Sequence, residues 1–217
     1  MKRTFDNLTF LIGTGHVNMD QFLSVYKKDL PLIAADGGAN HLYNFDIVPN
    51  AIIGDLDSLE NREEWERKTN VIHMPDQSST DLEKVLKQTQ TQIYIAFGFV
   101  GDRFDHILEI LHVLSKYREK QIIFFAGNDI VFRIPKIWNV ELPVGTRVSL
   151  YPLHKTKILK SSGLKWSLDN LEMRQGRIIG TSNETIFQNV MIEQDEPHVI
   201  GVTDWKFFDR IMVSLST

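Results

Sequence analysis

The stretch AIIGDLDS, residues 51–58, places a short apolar run directly before two aspartates. LIAADGG at 32–38 has the same arrangement, and IYIAFG at 93–98 leads into the acidic segment DRFDH at 102–106. Short apolar runs that end in turn residues are typical of buried parallel strands. Because the carboxyl ends of parallel strands meet at one edge of an open sheet, we expect these acidic segments to lie together.

Strand and helix patterns alternate over residues 1–134. The strand-like runs cover residues 9–12, 32–35, 51–53, 71–74, 93–97, 121–126 and 130–134. The helical patterns cover residues 19–28, 39–44, 59–69, 80–90 and 104–117. This alternation predicts an N-terminal α/β domain: a Rossmann-like open parallel sheet with helices on both faces.

Residues 135–217 have a different pattern, with short alternating segments separated by turn residues and no convincing long helix. The segments cover residues 140–142, 147–151, 158–160, 177–180, 186–193, 199–202 and 211–215. This spacing predicts a smaller antiparallel β domain, a sandwich or jelly roll. The predicted domains are therefore 1–134 and 135–217.

The composition narrows the possible functions. A chain of 217 residues that is 42% hydrophobic can bury a substantial core, and a net charge of −4 gives no general attraction to nucleic acid or to acidic membranes. The sequence contains no cysteine, which excludes disulfides, thiolate catalysis and cysteine-ligated zinc. No apolar run approaches the roughly 18 residues of a membrane span. We expect a cytoplasmic protein.

The segment 54–58 has the strongest metal-binding pattern. If the chain turns after the strand, Asp55 and Asp57 both face the crevice, where their oxygens suit a hard cation such as Mg²⁺. The alternative is that Asp57 or Ser58 caps a helix that begins near Leu59. Capping leaves Asp55 unexplained, so we favour metal binding.

Asp36 also follows a strand pattern, and two glycines follow it. It can act as a helix cap, with the glycines permitting a tight turn. Further along, Thr80 and Glu83 form a capping box, and a helix N-terminus at a crevice is also a natural phosphate site. A metal-binding role for Asp81 therefore stays open. Before this helix, Asp76 and Gln77 lie on a predicted loop.

The segment 98–106 joins a strand to a helix through glycines. Exposed backbone N–H groups and Arg103 can form a phosphate cradle. Asp102 and Asp105 can also stabilise the helix N-terminus electrostatically. His106 by itself is more often a packed or capping histidine than a catalyst.

Other phosphate-binding patterns do not fit. GTG at 13–15 follows the first strand, but Asn18 stands where the dinucleotide fingerprint requires its third glycine. The sequence has no P-loop pattern. The segment 55–57 is similar to that of aspartyl-nucleophile phosphatases, but Leu59 replaces their usual threonine or valine and the motif lies too far from the first strand.

Taken together and in order, these segments resemble the thiamine pyrophosphokinase family over the whole chain. The family pattern is D-G-G-A, G-D-x-D-S, an Asp-rich loop ending in T-D, G-G-R-x-D-H and a late S-N. The matching segments here are residues 36–40, 54–58, 76–81, 101–106 and 181–184. The resemblance implies transfer of a pyrophosphoryl group from ATP to the hydroxyethyl group of thiamine, giving thiamine diphosphate and AMP.

The resemblance also implies roles for individual residues. Asp36 would orient or deprotonate the hydroxyl, Arg103 would neutralise phosphate charge, and Asp105 would fix Arg103 or share the role of Asp36. The implied Mg²⁺ ligands are Asp55, Asp57 and Asp81. The implied substrate contacts are Asp76, Gln77, Thr80, Ser182 and Asn183.

Thiamine lies between subunits in this family, so a homodimer is implied. From the sequence pattern alone, Ser182 and Asn183 are better explained as a turn. The resemblance instead favours contact with the vitamin, and Asn183→Ala is then expected to raise the thiamine KM while barely changing the melting temperature. Trp205 is a candidate aromatic for stacking on thiamine.

Two departures from the family pattern keep other functions open. Asp102 stands in place of the second glycine before the arginine, and Ser78 stands where the family usually has a carboxylate. The alternatives are a Mg-dependent phosphohydrolase or pyrophosphohydrolase of a nucleotide-like substrate, and a non-catalytic nucleotide sensor on the same scaffold.

Overall fold

In the computed structural model, the described residues are 3–4, 8–101 and 103–216, with side chains described from residue 8 onward. The chain forms two compact units. The first comprises Met1–Val113 and Ile122–Gly127, and the second comprises Leu114–Gln121 and Asn128–Thr217. The predicted boundary between residues 134 and 135 stays a prediction, and the strand Asp129–Arg133 lies in the second unit.

The first unit alternates strands and helices. Its strands are β1 Arg3–Thr4, β2 Leu8–Ile12, β3 Leu32–Ala35, β4 Ala51–Gly54, β5 Asn70–His73, β6 Thr89–Gln90, β7 Ile93–Phe97 and β8 Gln121–Ala126. Its helices are α1 Met19–Val25, α2 Asn40–Tyr43, α3 Arg62–Lys68 and α4 Asp81–Gln88, and α5 Phe104–Lys116 begins there.

The strand order β8-β7-β2-β3-β4-β5 confirms an open sheet. The pairs β2–β7, β2–β3, β3–β4 and β4–β5 are parallel. Every residue of β3, β4 and β7 is buried, as expected of apolar strands in the middle of a parallel sheet. This sheet places the ends of β3 and β4 side by side, where the predicted acidic segments begin.

The second unit contains two groups of antiparallel strands. Its strands are β9 Asp129–Arg133, β10 Ile137–Glu141, β11 Arg147–Pro152, β12 Thr156–Ser162, β13 Glu172–Met173, β14 Gly180–Glu184, β15 Asn189–Gln194 and β16 Val199–Asp204. The strand orders are β14-β11-β16-β9 and β10-β15-β12-β13. A parallel-rich sheet followed by a smaller antiparallel region confirms the predicted fold class.

The predicted strand at 211–215 is wrong, because this segment belongs to the helix α6, Phe208–Leu215. Phe208, Ile211 and Ser214 are buried at intervals of three residues, which is a helical period. A short apolar run such as this cannot be assigned to a strand or a helix by periodicity alone. The helix is anchored where Trp138 Nε1 donates to Ser214 Oγ at 2.9 Å.

The strand predicted at 177–180 lies later in the chain, because β14 covers Gly180–Glu184. The helix predicted at 59–69 begins at Arg62. Among the described residues, no helix combines the length and apolarity that a membrane crossing demands.

Candidate active site

The ends of β3 and β4 bring three aspartates together. Asp36, Asp55 and Asp57 each offer an oxygen that lies within 4.8 Å of the oxygens of the other two. Gly54 makes this approach possible, since a Cβ atom there would lie 2.7 Å from the Cβ atom of Asp36. Gly54 is therefore required by the close contact between the two segments.

Two residues with a left-handed backbone conformation position these carboxylates. Asp36 has a φ of 47° and Leu56, between Asp55 and Asp57, has a φ of 66°. Non-glycine residues seldom adopt this conformation, and they concentrate at functional sites. The turn at Leu56 is the turn that the sequence argument required for Asp55 and Asp57 to face the same crevice.

Asp36 is a buried carboxylate, 2% exposed. Its Oδ2 accepts a hydrogen bond from the backbone N–H of Ser58 at 3.2 Å, while its Oδ1 is buried and has no hydrogen-bond partner among the described residues. Burial raises the pKa of Asp36, and the negative charges of Asp81 and Asp57 add to the rise. An unsatisfied, buried carboxylate oxygen beside two other carboxylates is a suitable cation ligand.

Helix capping does not account for Asp57. The helix α3 begins at Arg62 with Asn61 at its N-cap, and the exposed Asp57 instead accepts a hydrogen bond from Ser58 Oγ at 2.9 Å. Thr80, in contrast, is the N-cap of α4, and its hydroxyl accepts from the N–H of Glu83 at 3.3 Å.

Lys84 is a functional candidate that the sequence analysis missed. Its side chain is almost fully buried, and its Nζ donates to Asp55 Oδ2 at 3.1 Å and to Asp81 Oδ1 at 2.9 Å. Burial lowers the pKa of Lys84, but the hydrogen bonds to Asp81 and Asp55 outweigh it, so the net pKa is raised. The missed signal was a lysine three residues after Asp81, a spacing that lets the two side chains pair on one side of α4.

Asp55 receives a second donor, since Gln77 Nε2 donates to its Oδ2 at 3.0 Å. Burial acts to raise the pKa of Asp55, but the hydrogen bonds from Lys84 and Gln77 lower it overall. Gln77 was predicted to contact substrate, and here it lies against a predicted metal ligand. Its amide therefore helps to fix the orientation of Asp55.

A cavity of about 380 Å³ adjoins these groups. Predicted site residues in its wall are Asp55, Gln77, Thr80 and Asp81. Asp76 is not among the lining residues; its carboxylate accepts from the backbone N–H of Ser78 at 3.0 Å and from Ser78 Oγ at 2.6 Å. These hydrogen bonds lower the pKa of Asp76 and shape the loop before α4. Ser78, at a position of departure from the family pattern, is thus a loop-forming residue.

The glycine loop at 13–15 also lines this cavity, although the sequence analysis gave it no role. The Gly13 N–H donates to Phe97 O and the Gly15 N–H donates to Gly98 O, both at 2.8 Å. A Cβ atom on Gly98, whose φ is 74°, would lie 2.4 Å from Gly13 O. These glycines permit the close approach of two loops at the cavity.

Arg103 and Asp105 form an exposed, two-pronged ion pair. Arg103 Nη2 lies 2.6 Å from Asp105 Oδ2, and Arg103 Nε lies 3.2 Å from Asp105 Oδ1. The hydrogen bonds from Arg103 lower the pKa of Asp105. Neither residue is among those that line the cavity. The departure at Asp102 lies outside the described residues.

In the second unit, Ser182 and Asn183 lie within β14. Ser182 is exposed with a φ of 62°. Asn183 is 2% exposed: its Nδ2 donates to Trp166 O at 2.8 Å, and its Oδ1 accepts from the N–H groups of Trp166 at 3.2 Å and Glu184 at 2.9 Å. Asn183 thus holds the backbone of Trp166, whose side chain is 54% exposed. The predicted contacts with thiamine stay predictions.

Trp205 begins a short 3₁₀ helix, Trp205–Phe207, and its backbone N–H donates to Asn128 O at 3.1 Å. Its ring is partly exposed. Trp166 was not considered in the sequence analysis, although it is the more exposed of the two tryptophans. Trp205 stays a predicted candidate for stacking on thiamine.

Comparison with known proteins agrees with these features. The family model for the catalytic domain of thiamin pyrophosphokinase matches residues 22–126, and the model for its vitamin B1 binding domain matches residues 136–199. The chain is 31% identical to thiamine pyrophosphokinase 2 of Arabidopsis thaliana over 214 residues, covering 82% of this chain and 80% of the relative. It is 28% identical to thiamin pyrophosphokinase 1 of Caenorhabditis elegans over 198 residues, covering 82% and 81%.

Solved structures support the fold. Yeast thiamin pyrophosphokinase matches with a TM-score of 0.77 at 21% identity, covering 98% of this chain and 94% of that one. Thiamine pyrophosphokinase from Bacillus subtilis matches with the same TM-score and identity, covering 91% and 99%. At this level of identity, the structural matches show the shared fold alone.

Proposed function

Since the chain belongs to the thiamine pyrophosphokinase family, we propose that it transfers a pyrophosphoryl group from ATP to the hydroxyethyl oxygen of thiamine and releases AMP. The observation that carries the proposal is the group of Asp36, Asp55 and Asp57 beside a cavity of about 380 Å³. Oxygen ligands at the carboxyl edge of a parallel sheet suit a metal that binds phosphates.

The chemistry of this group fits Mg²⁺. The buried Oδ1 of Asp36 has no hydrogen-bond partner among the described residues, and its neighbours Asp55 and Asp57 also offer oxygen ligands. Asp81 is joined to Asp55 through Lys84 and completes the predicted ligand set. When bound, Mg²⁺ supplies charge neutralisation for the phosphates.

The remaining roles belong to the chain's own residues. Asp36 is proposed to orient or deprotonate the thiamine hydroxyl, because its buried Oδ1 has no hydrogen-bond partner among the described residues and can accept a proton from the hydroxyl. Arg103 is proposed to neutralise phosphate charge, since its planar fork can bind two oxygens at once. Asp105 already holds that fork in place, which supports its positioning role.

Phosphoryl transfer depends on placing the reactants and stabilising charge. Gln77 and Thr80 line the cavity and are proposed to contact ATP, with Asp76 organising their loop. Attack by the thiamine oxygen on the β-phosphorus breaks the bond to the α-phosphate oxygen, and AMP leaves with that oxygen. The proton of the hydroxyl passes to Asp36.

The thiamine end is proposed to bind in the second unit, where the vitamin B1 binding model matches. Ser182 is exposed and can reach a ligand, whereas Asn183 supports the binding surface by holding Trp166. The proposal includes a homodimer with thiamine at the subunit interface. It also includes a cytoplasmic location, where ATP is available, with neither nucleic acid nor membrane as a partner.

The direct test is to incubate the purified protein with ATP and Mg²⁺, with and without thiamine, and to quantify AMP. We expect AMP and thiamine diphosphate to form in equal amounts and only when thiamine is present. Inorganic phosphate formed without thiamine would indicate a hydrolase. Binding of ATP without any turnover would indicate a nucleotide sensor.

A further inference from the structure

Lys84 places a positive charge inside the proposed metal site. Its ammonium group lies within 3.1 Å of Asp55 and 2.9 Å of Asp81, and only 1% of the residue is exposed. A buried ammonium group requires close negative partners to offset its lost hydration. Here both partners are residues proposed to serve the metal.

This lysine differs from the other lysine on the same helix. Lys87 lies one turn further along α4 and is exposed, so it can be changed without opening the core. Lys84, in contrast, points from α4 toward Asp55, which follows β4 and lies far from it in the sequence. The ion pair therefore ties the helix to the strand end that carries the carboxylate group.

The charge balance around Lys84 suggests its purpose. Asp36, Asp55 and Asp57 crowd their oxygens within 4.8 Å, and such like charges repel one another when no cation is present. Lys84 relieves part of this repulsion before a metal arrives. A divalent cation entering the group must then approach a fixed positive charge that already contacts Asp55.

We propose that Lys84 is a built-in counter-ion, a positioning residue that keeps the carboxylates assembled without metal and weakens the binding of free Mg²⁺. The phosphates of ATP add negative charge, which offsets the ammonium group. Mg²⁺ therefore binds to the site together with the nucleotide rather than before it. This inference rests on the proposed metal site and adds the order in which the metal and the nucleotide bind.

The test measures the affinity of the nucleotide-free, full-length protein for Mg²⁺ by isothermal titration calorimetry. Lys84→Gln removes the charge but keeps a hydrogen-bond donor, Lys84→Arg keeps the charge, and Lys87→Met is the matched control on the same helix. We expect Lys84→Gln to bind Mg²⁺ at least about tenfold tighter than the wild type. Repulsion between a nearby ammonium group and a divalent cation lowers the affinity by at least that factor, even with strong screening. Lys84→Arg and Lys87→Met should remain near the wild-type affinity.

Thermal melting gives a second readout with Lys84→Met. We expect its melting temperature to fall below the wild type in EDTA and to rise more than the wild type when Mg²⁺ is added, because tighter binding to the native state stabilises it further. A lysine that serves only packing would lower the melting temperature equally in both conditions. That result, or an unchanged or weaker Mg²⁺ affinity in Lys84→Gln, would overturn the inference.

Failure of the inference is separable from failure of the proposed function. Thiamine-dependent AMP release by the wild type is measured in parallel with Mg²⁺ binding. Tighter Mg²⁺ binding by Lys84→Gln without any AMP release by the wild type supports the counter-ion role and removes the kinase activity. Thiamine-dependent AMP release by the wild type, together with unchanged Mg²⁺ affinity in Lys84→Gln, supports the kinase activity and refutes the counter-ion role.

Discussion

Replacing Asn183 with alanine should destabilise the second unit. The buried carboxamide makes three hydrogen bonds, two to the backbone of Trp166 and one to the backbone of Glu184. Alanine cannot replace any of them, so the N–H and C=O groups of Trp166 lose these partners. From the sequence, we expect the melting temperature to stay nearly constant. Because the structure shows buried hydrogen bonds at Asn183, we now expect the melting temperature to fall.

The loss in free energy of unfolding follows from the number of polar groups left without hydrogen-bond partners. An unsatisfied buried polar group costs about 1–3 kcal/mol, and partial rehydration of Trp166 reduces the sum, so we expect a loss of about 2–4 kcal/mol. For a chain of this size, each kcal/mol lowers the melting temperature by about 2–4 °C. The variant should therefore melt roughly 5–15 °C below the wild type.

The assay is thermal melting by circular dichroism, paired with the thiamine KM on the same preparation. Ser182→Ala is the control, because this neighbouring side chain is exposed and should change stability by no more than about 0.5 kcal/mol. We expect Asn183→Ala to lower the melting temperature and to raise the thiamine KM through a displaced Trp166. A normal melting temperature with a raised KM would refute the structural role and restore direct contact with the vitamin.

Three further predictions concern the first unit. Asp57→Asn should lower kcat at least about a hundredfold at saturating Mg²⁺, because this carboxylate is proposed to bind the metal. The melting temperature should stay nearly unchanged, because the side chain is exposed. A near-normal kcat would show that Asp57 is not part of the site. Arg103→Lys should reduce kcat more than it changes the thiamine KM, since lysine loses the two-pronged geometry; a defect confined to the KM would move Arg103 away from the phosphates. Burial raises the pKa of Asp36, so the native state holds the proton of this carboxyl more tightly than the unfolded state does. The contribution of Asp36 to the free energy of unfolding therefore falls as pH rises from the ordinary aspartate range through the raised pKa. Asp36→Asn should abolish this fall, so the metal-free variant should be more stable than the wild type at neutral pH, although it should be inactive. A variant that melts below the wild type in EDTA would contradict the raised pKa of Asp36.

The alternation of elements in the first unit could be predicted because its central strands are apolar. Strands such as β3 and β4 are buried on both faces, so their sequences show as continuous apolar runs. The acidic segments could then be placed at one sheet edge by the rule for parallel strands. The grouping of Asp36 with Asp55 and Asp57 follows from the pairing of β3 with β4.

Features that depend on tertiary contact could not be predicted in this way. Lys84 has the sequence pattern of an ordinary helix lysine, because its partner Asp55 is remote in the sequence. The helix α6 was mistaken for a strand because a short apolar run fits both periods. Asn183 was interpreted as a turn or ligand residue, although its partner, the backbone of Trp166, lies on a different segment.

The position of radioactive label after one reaction tests the central claim most directly. The protein is incubated with thiamine, Mg²⁺ and ATP labelled either at the γ-phosphate or at the α-phosphate, and the products are separated by chromatography. Transfer of an intact pyrophosphoryl group predicts that γ-label appears in thiamine diphosphate and α-label appears in AMP, with neither formed when thiamine is omitted. Recovery of γ-label as inorganic phosphate or pyrophosphate, independent of thiamine, would contradict the account.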